Sequence, residues 1–326
     1  MRGLWASGAT GLTAWHPRAV DQTQLGTWTD LLARAGFRPG AVLGSGMEGA
    51  VIDLGDDLVA KIWKRRTAKE LDTLRAFYDA VAGAQPAVRT PRILQVLTQG
   101  GQLATVEPRL AGRPLWNPDG ESPALTDADV ASVVAVLEAL AEIDPTPGMA
   151  ALPVLESEGP FVAGSFARSL ADLVERRVAR FRGPLLARLP DLDSVTKAVL
   201  AGLAGLEPGR EGLVHGDLVP ANILVDGRSR PLAVIDFGFL TTVGDPAFDA
   251  AVTSSIYDMY GPRARETEEA LDTAITERFH HEAGRLALYR AAYALATSNC
   301  YSASGSDGHF DWCARLLERP DIRAAF

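Results

Sequence analysis

The chain has 326 residues, of which 47% are hydrophobic and 22% charged, an ordinary composition for a globular protein with a sizeable core. Its net charge of −9 argues against nucleic acids and anionic membranes as partners. Two cysteines without metal-ligand spacing, no run of about 20 apolar residues and no secretion signal predict a cytoplasmic protein with free thiols.

Strand signals dominate from Ala41 to Trp63 and surround a glycine-rich turn. Two apolar runs joined by a Gly/Asp turn indicate antiparallel strands, so no helix follows the glycines. This setting excludes a dinucleotide-binding glycine loop, and the chain has no Gly-x-x-x-x-Gly-Lys-Ser/Thr of a P-loop. The pattern Gly44-x-Gly46-x-x-Gly49-x-Val51 fits instead the glycine loop that covers the nucleotide phosphates in kinases.

Alone, such a glycine pattern more often marks a flexible turn than a nucleotide-binding loop. The residues that follow it in the sequence favour the nucleotide-binding loop. Lys61 follows twelve residues after the last glycine on a predicted strand, where a kinase lysine contacts the α- and β-phosphates. We therefore predict a nucleotide site that includes Gly44, Ser45, Gly46, Gly49, Val51 and Lys61.

A helix is predicted from Thr67 to Ala82, and Glu70 in its first turn has two interpretations. In one, Thr67 and Glu70 form a capping box. In the other, the Glu70 carboxylate pairs with Lys61 and orients it toward the phosphates. The two interpretations do not exclude each other, and the second is the favoured one.

Two further strands, Ile93–Leu97 and Gln102–Glu107, precede a Pro/Gly-rich break. We expect a hinge at Glu107–Leu110, in which backbone groups of Glu107 and Arg109 contact the edge of an adenine. Pro108 has no N–H and cannot donate.

The residues between His215 and Gly238 carry the side chains that phosphoryl transfer to a hydroxyl needs. Asp217 can accept or orient the proton of the attacking hydroxyl, and Asn222 and Asp236 can hold Mg²⁺ against the triphosphate. Asp217 and Asn222 have the Asp-x-x-x-x-Asn spacing of a kinase catalytic loop, and Asp-Phe-Gly follows.

The acceptor is predicted to be a small molecule. A protein kinase needs a long activation segment between Asp-Phe-Gly and Ala-Pro-Glu to bind a peptide. Here five residues separate Gly238 from Gly244, and no Ala-Pro-Glu follows. We therefore expect no protein substrate.

These motifs resemble those of the aminoglycoside phosphotransferase family, small-molecule kinases with a protein-kinase-like fold. The resemblance covers about residues 40–255 and rests on three segments: the catalytic loop His215–Leu224, the metal motif Ile235–Gly238 and the following segment Gly244–Asp249. It implies an α+β bilobal fold with a β-rich N-lobe that has one main helix and a larger, mostly helical C-lobe. The expected parts are a lead segment (1–35) that ends in a short helix from Thr29 to Ala35, an ATP-binding N-lobe (36–108) and a catalytic, substrate-binding C-lobe (109–326).

The resemblance also implies the cofactors and the roles of further residues. ATP and Mg²⁺ are expected, and GTP is not excluded as the donor. His215 is expected to brace the catalytic loop, and Asp249 to hold it from the following helix.

Residues 245–326 are rich in carboxylates and aromatic rings and are predicted to form helices on the acceptor side, at Thr253–Tyr260, Glu266–Asn299 and Phe310–Arg319. These groups can pair with ammonium groups or stack on sugar rings, although any one of them can equally belong to a solvated helix face or to the core. The candidate substrate carboxylates are Asp258, Glu268, Glu269, Asp307 and Asp311.

The favoured function is phosphorylation of an aminoglycoside or another cationic antibiotic, as a resistance or self-protection enzyme. The alternatives are a metabolic kinase of a sugar, amino sugar or amino alcohol, and a nucleotide-binding pseudokinase scaffold. The pseudokinase is disfavoured because Lys61, Asp217 and Asp236 are all present.

Overall fold

A five-stranded antiparallel sheet dominates the N-terminal part of the computed structural model, which describes residues 22–45, 48–116, 124–162 and 164–326. The strands lie in the order β1-β2-β3-β5-β4, with Lys61 on the central strand β3. The elements of this lobe are α1 (Gln22–Arg34), β1 (Val42–Ser45), β2 (Gly49–Gly55), β3 (Leu58–Trp63), α2 (Ala68–Gly83), β4 (Gln95–Gln99) and β5 (Gln102–Pro108).

The remaining chain is mostly helical and contains two small sheets that carry the catalytic motifs. Strand β8 pairs with β6 and β9, and β7 pairs with β10. The elements of this lobe are β6 (Arg113–Pro114), α3 (Asp127–Ala141), α4 (Phe166–Arg180), α5 (Arg182–Arg188), α6 (Leu192–Ala204), β7 (Gly212–Val214), β8 (Ile223–Val225), β9 (Pro231–Val234), β10 (Thr242–Gly244), α7 (Pro246–Ile256), α8 (Ala264–Phe279), α9 (Ala283–Thr297), α10 (Gly308–Glu318) and α11 (Pro320–Arg323). The predicted bilobal, protein-kinase-like α+β fold is confirmed.

The N-lobe sheet has a helix on each face. Helix α2 packs its predicted apolar stripe, from Leu71 to Val81, into the main core that continues into the C-lobe. Helix α1 covers the other face, where Trp28 and Leu32 pack against β2, β3 and β5 in a separate cluster. This helix begins seven residues before the expected Thr29, and Gly36 follows it with a φ of +90°.

Two helices of the C-lobe differ from the expectation. Helix α7 begins at Pro246, whereas the sequence predicted a start at Thr253, because Asp245 caps it by accepting the Ala247 N–H and proline suits the first helical position. The predicted continuous helix 266–299 is two helices, since His280 takes a left-handed φ of +58° and ends α8. No helix among the described residues has the length and apolarity that crossing a membrane requires.

Trp28→Ala tests whether α1 is an integral part of the N-lobe. Trp28 is 2% exposed and donates from Nε1 to Gln102 Oε1 at 3.0 Å, so its removal leaves a cavity and an unpaired amide. We expect a loss of about 3–5 kcal/mol in the free energy of unfolding, measured by urea denaturation. Leu94→Ala is the control, because Leu94 is 47% exposed on the same lobe; equal effects of the two substitutions would contradict the assignment.

Candidate active site

A buried carboxylate from α7 holds the catalytic loop. Asp249 accepts the backbone N–H of His215 at 2.6 Å and that of Gly216 at 2.8 Å. Burial raises the pKa of Asp249 to about 6, although the two N–H donors act in the opposite direction. The backbone immediately before Asp217 is therefore fixed by two hydrogen bonds.

The ring of His215 joins this loop to the strand that ends at Asp236. The Asp217 N–H donates to His215 Nδ1 at 3.2 Å, which leaves Nε2 as the donor to the Ile235 carbonyl at 3.0 Å. Burial lowers the pKa of His215 to about 4, so the ring is neutral at pH 7. These contacts are those of a bracing residue, the role that the resemblance implies.

The short segment after Gly238 packs directly on the catalytic loop. Gly216 has a φ of +83°, and a Cβ on it would lie 2.4 Å from the Phe239 carbonyl oxygen. Thr241 Oγ1 donates to the His215 carbonyl at 2.7 Å and accepts the Gly238 N–H at 2.8 Å. The two motifs therefore form one unit that has no room for a side chain at position 216.

Asn222 and Asp236 lie at adjacent ends of β8 and β9. The Ile235 N–H donates to the Asn222 carbonyl at 3.0 Å, and the Asn222 amide donates to the Asp217 carbonyl at 2.9 Å. The described residues contain no group of three His, Cys, Asp or Glu side chains that could hold a metal by itself. One carboxylate and one amide oxygen fit Mg²⁺, which takes few protein ligands together with phosphate oxygens and water.

Asp217 has the electrostatic environment of a group that titrates near neutrality. Its burial and the negative charges of Asp236 and Asp249 raise its pKa to about 7. A carboxylate with this pKa can exchange a proton with a hydroxyl group more readily than an ordinary aspartate.

Phe237 connects the metal motif to the N-lobe helix α2. Its ring lies 5.4 Å from the ring of Phe77, 6.3 Å from that of Tyr78 and 4.5 Å from that of His215, measured between centroids. The position of α2 is thereby linked to the catalytic loop through packed aromatic rings.

On the nucleotide side, Lys61 lies beneath the glycine loop and close to the metal motif. Its Nζ is 2.9 Å from Glu48 Oε2, 3.5 Å from Asp236 Oδ1 and 4.0 Å from the centroid of the Trp63 ring. Burial opposes the charged form of Lys61, but Asp236 and Glu48 outweigh it and raise its pKa, so the ammonium group is retained.

The described residues of the predicted glycine loop lie on β1 and β2, beside the strand that carries this lysine. Val51 pairs with Lys61 across β2 and β3, and Gly44 and Ser45 end β1. A Cβ on Gly49 would lie 1.8 Å from the Ile62 carbonyl oxygen, so only glycine fits there. Gly46 lies outside the described residues.

The expected ion pair between Lys61 and Glu70 is not formed in this structure. Glu70 accepts the Thr67 N–H and the Thr67 hydroxyl, each at 2.7 Å, while Thr67 accepts the Glu70 N–H. The capping-box interpretation is thus confirmed, and the carboxylate beside Lys61 belongs to Glu48. The cap prevails here because it satisfies helix N–H groups within one turn.

The backbone groups of Glu107 and Arg109 do not point in the direction expected for the hinge. The Arg109 N–H donates to the Asp57 carbonyl at 2.7 Å, toward β3, and Glu107 lies opposite Val59 in the β3–β5 ladder. Since the backbone groups of successive residues point to opposite sides of a strand, the Pro108 carbonyl points away from β3. The Glu107 side chain is buried, accepts a hydrogen bond from Thr105, and has its pKa raised mainly by burial.

Two of the five candidate substrate carboxylates pair with arginines. Glu268 is 5% exposed and lies within 4 Å of the guanidinium groups of Arg265, Arg290 and Arg319, and Arg265 also pairs with Glu269.

The other three candidates differ in their surroundings. Asp258 is buried beside Gly261, and Asp311 is exposed in the first turn of α10. Asp307 caps α10 by accepting the Phe310 N–H at 2.9 Å, and its Oδ2 is buried without a hydrogen-bond partner among the described residues.

Aromatic residues lie on the same side of the C-lobe as Asp217. His309 contacts the rings of Tyr293, Tyr301 and Trp312 at centroid distances of 5.2–6.3 Å, and its Nδ1 is 3.4 Å from the Tyr260 hydroxyl. Burial is the main reason that the pKa values of the three tyrosines are raised, and the charge of Asp217 adds to it.

Three residues near the site escaped the sequence reasoning: Glu48, Arg66 and His309. The signal for Glu48 was its position inside the glycine pattern, where an acidic residue faces phosphate ligands. His309 had no signal, because its aromatic neighbours are spread over α9, α10 and the loop between them.

Solved structures of antibiotic phosphotransferases have the same fold. The GDP complex of aminoglycoside 2'-phosphotransferase-IIIa is 17% identical with a TM-score of 0.63, covering 94% of this chain and 100% of that chain. A macrolide 2'-phosphotransferase from Brachybacterium faecium is 22% identical with a TM-score of 0.59, covering 90% and 98%. The streptomycin–ATP complex of APH(2")-IIa is 14% identical with a TM-score of 0.55, covering 91% and 96%.

No curated protein matches the sequence. The model of the phosphotransferase enzyme family matches residues 40–287, which is most of the chain and includes Lys61, the catalytic loop and the metal motif. The protein therefore belongs to the phosphotransferase enzyme family and is a small-molecule kinase.

Proposed function

We propose that the protein transfers the γ-phosphoryl group of ATP, with Mg²⁺, to a hydroxyl group of an antibiotic. The observation that carries the donor side of this proposal is the convergence of Lys61, Asn222 and Asp236 beside Asp217. Solved structures with this fold contain GDP or ATP, so GTP is the alternative donor in every assay below.

Each side chain has a separate task in this reaction. Asp217 orients the acceptor hydroxyl and takes its proton as the hydroxyl oxygen bonds to the γ-phosphorus, while the bond from that phosphorus to the β–γ bridging oxygen breaks and ADP leaves. Lys61 offsets the negative charge of the phosphates, and Asn222 and Asp236 would hold Mg²⁺, which supplies further charge compensation. Catalysis by this arrangement depends mainly on position and electrostatics.

The acceptor side favours an antibiotic with an apolar body over a polycation. Two of the candidate carboxylates, Glu268 and Glu269, pair with arginines, which weakens their attraction for ammonium groups. The exposed rings of Tyr260 and Tyr301, which lie beside the buried ring of His309, offer stacking surfaces instead. Asp307 Oδ2, buried and without a partner in the described chain, provides one position for a single amine.

Asp217→Ala tests the catalytic assignment. We expect kcat to fall by about 10²- to 10⁴-fold, because the hydroxyl loses its proton acceptor and its orientation. The dissociation constant of ATP, measured by calorimetry, should change by less than about twofold. Asp193→Ala is the control, since that side chain is 70% exposed on α6; substantial activity in Asp217→Ala would refute the role.

The raised pKa of Asp217 predicts a pH dependence. Only the ionised carboxylate accepts a proton, so kcat/KM for the nucleotide, which reports on the nucleotide-free enzyme, should rise with pH and level off above about 7. His215 stays neutral over this range because its pKa is lowered to about 4. A flat profile between about pH 5.5 and 8, with unchanged ATP binding, would contradict this assignment.

Kinetics with two antibiotics tests the class of acceptor. Kanamycin carries several amines, whereas erythromycin has an apolar lactone ring and one tertiary amine. We expect phosphorylation of erythromycin with a KM that changes little with salt, because stacking is weakly screened. Tyr301→Ala should raise this KM about tenfold while Tyr301→Phe preserves it. Exclusive use of kanamycin, with a KM that rises steeply with salt, would favour the aminoglycoside interpretation.

A further inference from the structure

One carboxylate bridges the two cations nearest to the predicted nucleotide phosphates. Glu48 Oε2 lies 2.9 Å from Lys61 Nζ, and Glu48 Oε1 lies 2.7 Å from Arg66 Nη2. Burial alone would raise the pKa of Glu48, but the attraction of Lys61 and Arg66 lowers it, so the carboxylate is ionised. Two oxygens of one anion thus contact two different cations.

Arg66 also lies next to the metal motif. A Cβ on Gly238 would be 3.5 Å from Arg66 Nη2, and the Arg66 guanidinium lies 5.6 Å from the centroid of the same Trp63 ring that Lys61 contacts. Its side chain is 24% exposed, whereas the neighbouring Arg65 is 84% exposed. Arg66 therefore faces the site between the glycine loop and Asp236.

We propose that Arg66 is a second phosphate-binding cation beside Lys61, and that Glu48 occupies the position of a nucleotide phosphate until the nucleotide displaces it. The proposal rests on the proposed function, since it concerns the same nucleotide site. A guanidinium group and an ammonium group on either side of one anion match the geometry with which proteins hold phosphate oxygens.

Displacement of the Glu48 side chain does not require the glycine loop to unfold. The Glu48 carbonyl accepts the Lys64 N–H at 2.8 Å, and the next residue, Gly49, is paired with Trp63. The backbone is thus held by the β2–β3 ladder, while the side chain is 38% exposed and can rotate toward solvent. A triphosphate would drive this rotation, because it repels the carboxylate and binds both cations.

The arrangement also accounts for the position of Glu70. Lys61 is paired with Glu48, and Glu70 is held by Thr67 at the start of α2. When the nucleotide displaces Glu48, Lys61 loses one carboxylate partner and gains the phosphates. Glu48 therefore competes with the nucleotide phosphates for Lys61 and Arg66, and this competition lowers the affinity for triphosphates.

The test measures dissociation constants of ATP, ADP and adenosine by calorimetry, with Mg²⁺ present, for the unsubstituted protein and its Glu48→Gln, Arg66→Gln and Arg66→Lys variants. Glu48→Gln should bind ATP about three- to tenfold more tightly, since a partly exposed ion pair no longer competes. Arg66→Gln should bind ATP about tenfold more weakly and Arg66→Lys less so. Adenosine affinity should stay the same in all variants, because adenosine carries no phosphate.

The surface pair Arg65–Glu156 provides matched controls, because its side chains are 84% and 86% exposed and 3.6 Å apart. Arg65→Gln and Glu156→Gln should leave every dissociation constant unchanged, and thermal denaturation shows whether each variant is folded. Weaker ATP binding in Glu48→Gln would mean that Glu48 orients Lys61 in the loaded enzyme, and would overturn the proposal. Unchanged ATP affinity in Arg66→Gln would overturn it as well.

These outcomes are distinguishable from failure of the proposed function. If the wild-type protein binds ATP and phosphorylates an acceptor but the Glu48 and Arg66 variants behave like the controls, this inference alone is wrong. If the wild-type protein binds none of ATP, ADP or GTP, the proposed function and the inference are both wrong.

Discussion

The Asp249 carboxylate, which accepts two consecutive backbone N–H groups, is the contact on which the rest of the site depends. It is buried, so its ionised form is stable only because both donors are directed at it. Through His215 the same contact reaches Ile235, and through Ile235 the backbone of Asn222. Hydrogen bonds from helix α7 therefore fix the positions of Asp217, Asn222 and Asp236.

The two sides of the site use charge differently. On the nucleotide side, cations and carboxylates alternate over short distances, because Lys61 lies between Glu48 and Asp236 and Arg66 pairs with Glu48. In the C-lobe, arginines pair with Glu268 and Glu269, and the rings of Tyr260 and Tyr301 are exposed. The net charge of −9 consequently says little about the field that an acceptor meets.

The sequence predicted the order of the catalytic groups because this order follows from local spacing, and the resemblance of these motifs to a known family implied the bilobal fold. Lys61 lies on strand β3, and the other three groups lie in the loops beside β7, β8 and β9, which short apolar runs define. Long-range partners were not predictable in this way. The Lys61–Glu48 contact depends on the side-chain rotamer of a loop residue. Glu70 had two suitable partners, Lys61 and Thr67, and local spacing does not decide between them; in the structure it pairs with Thr67 in the capping box of α2. Glu268 and Arg319 are 51 residues apart in the sequence, and a pairing over this separation cannot be predicted from helix or strand periodicity.

Gly216 limits how an enzyme of this kind can be regulated. In protein kinases an arginine in the catalytic loop pairs with a phosphorylated residue of the activation segment and so couples covalent modification to activity. Here the Phe239 and Leu240 backbone occupies the space of any side chain at position 216. The loop thus lacks the arginine, and only five residues separate Gly238 from Gly244. Packing within the catalytic loop therefore excludes control through a phosphorylated residue paired with a side chain at position 216.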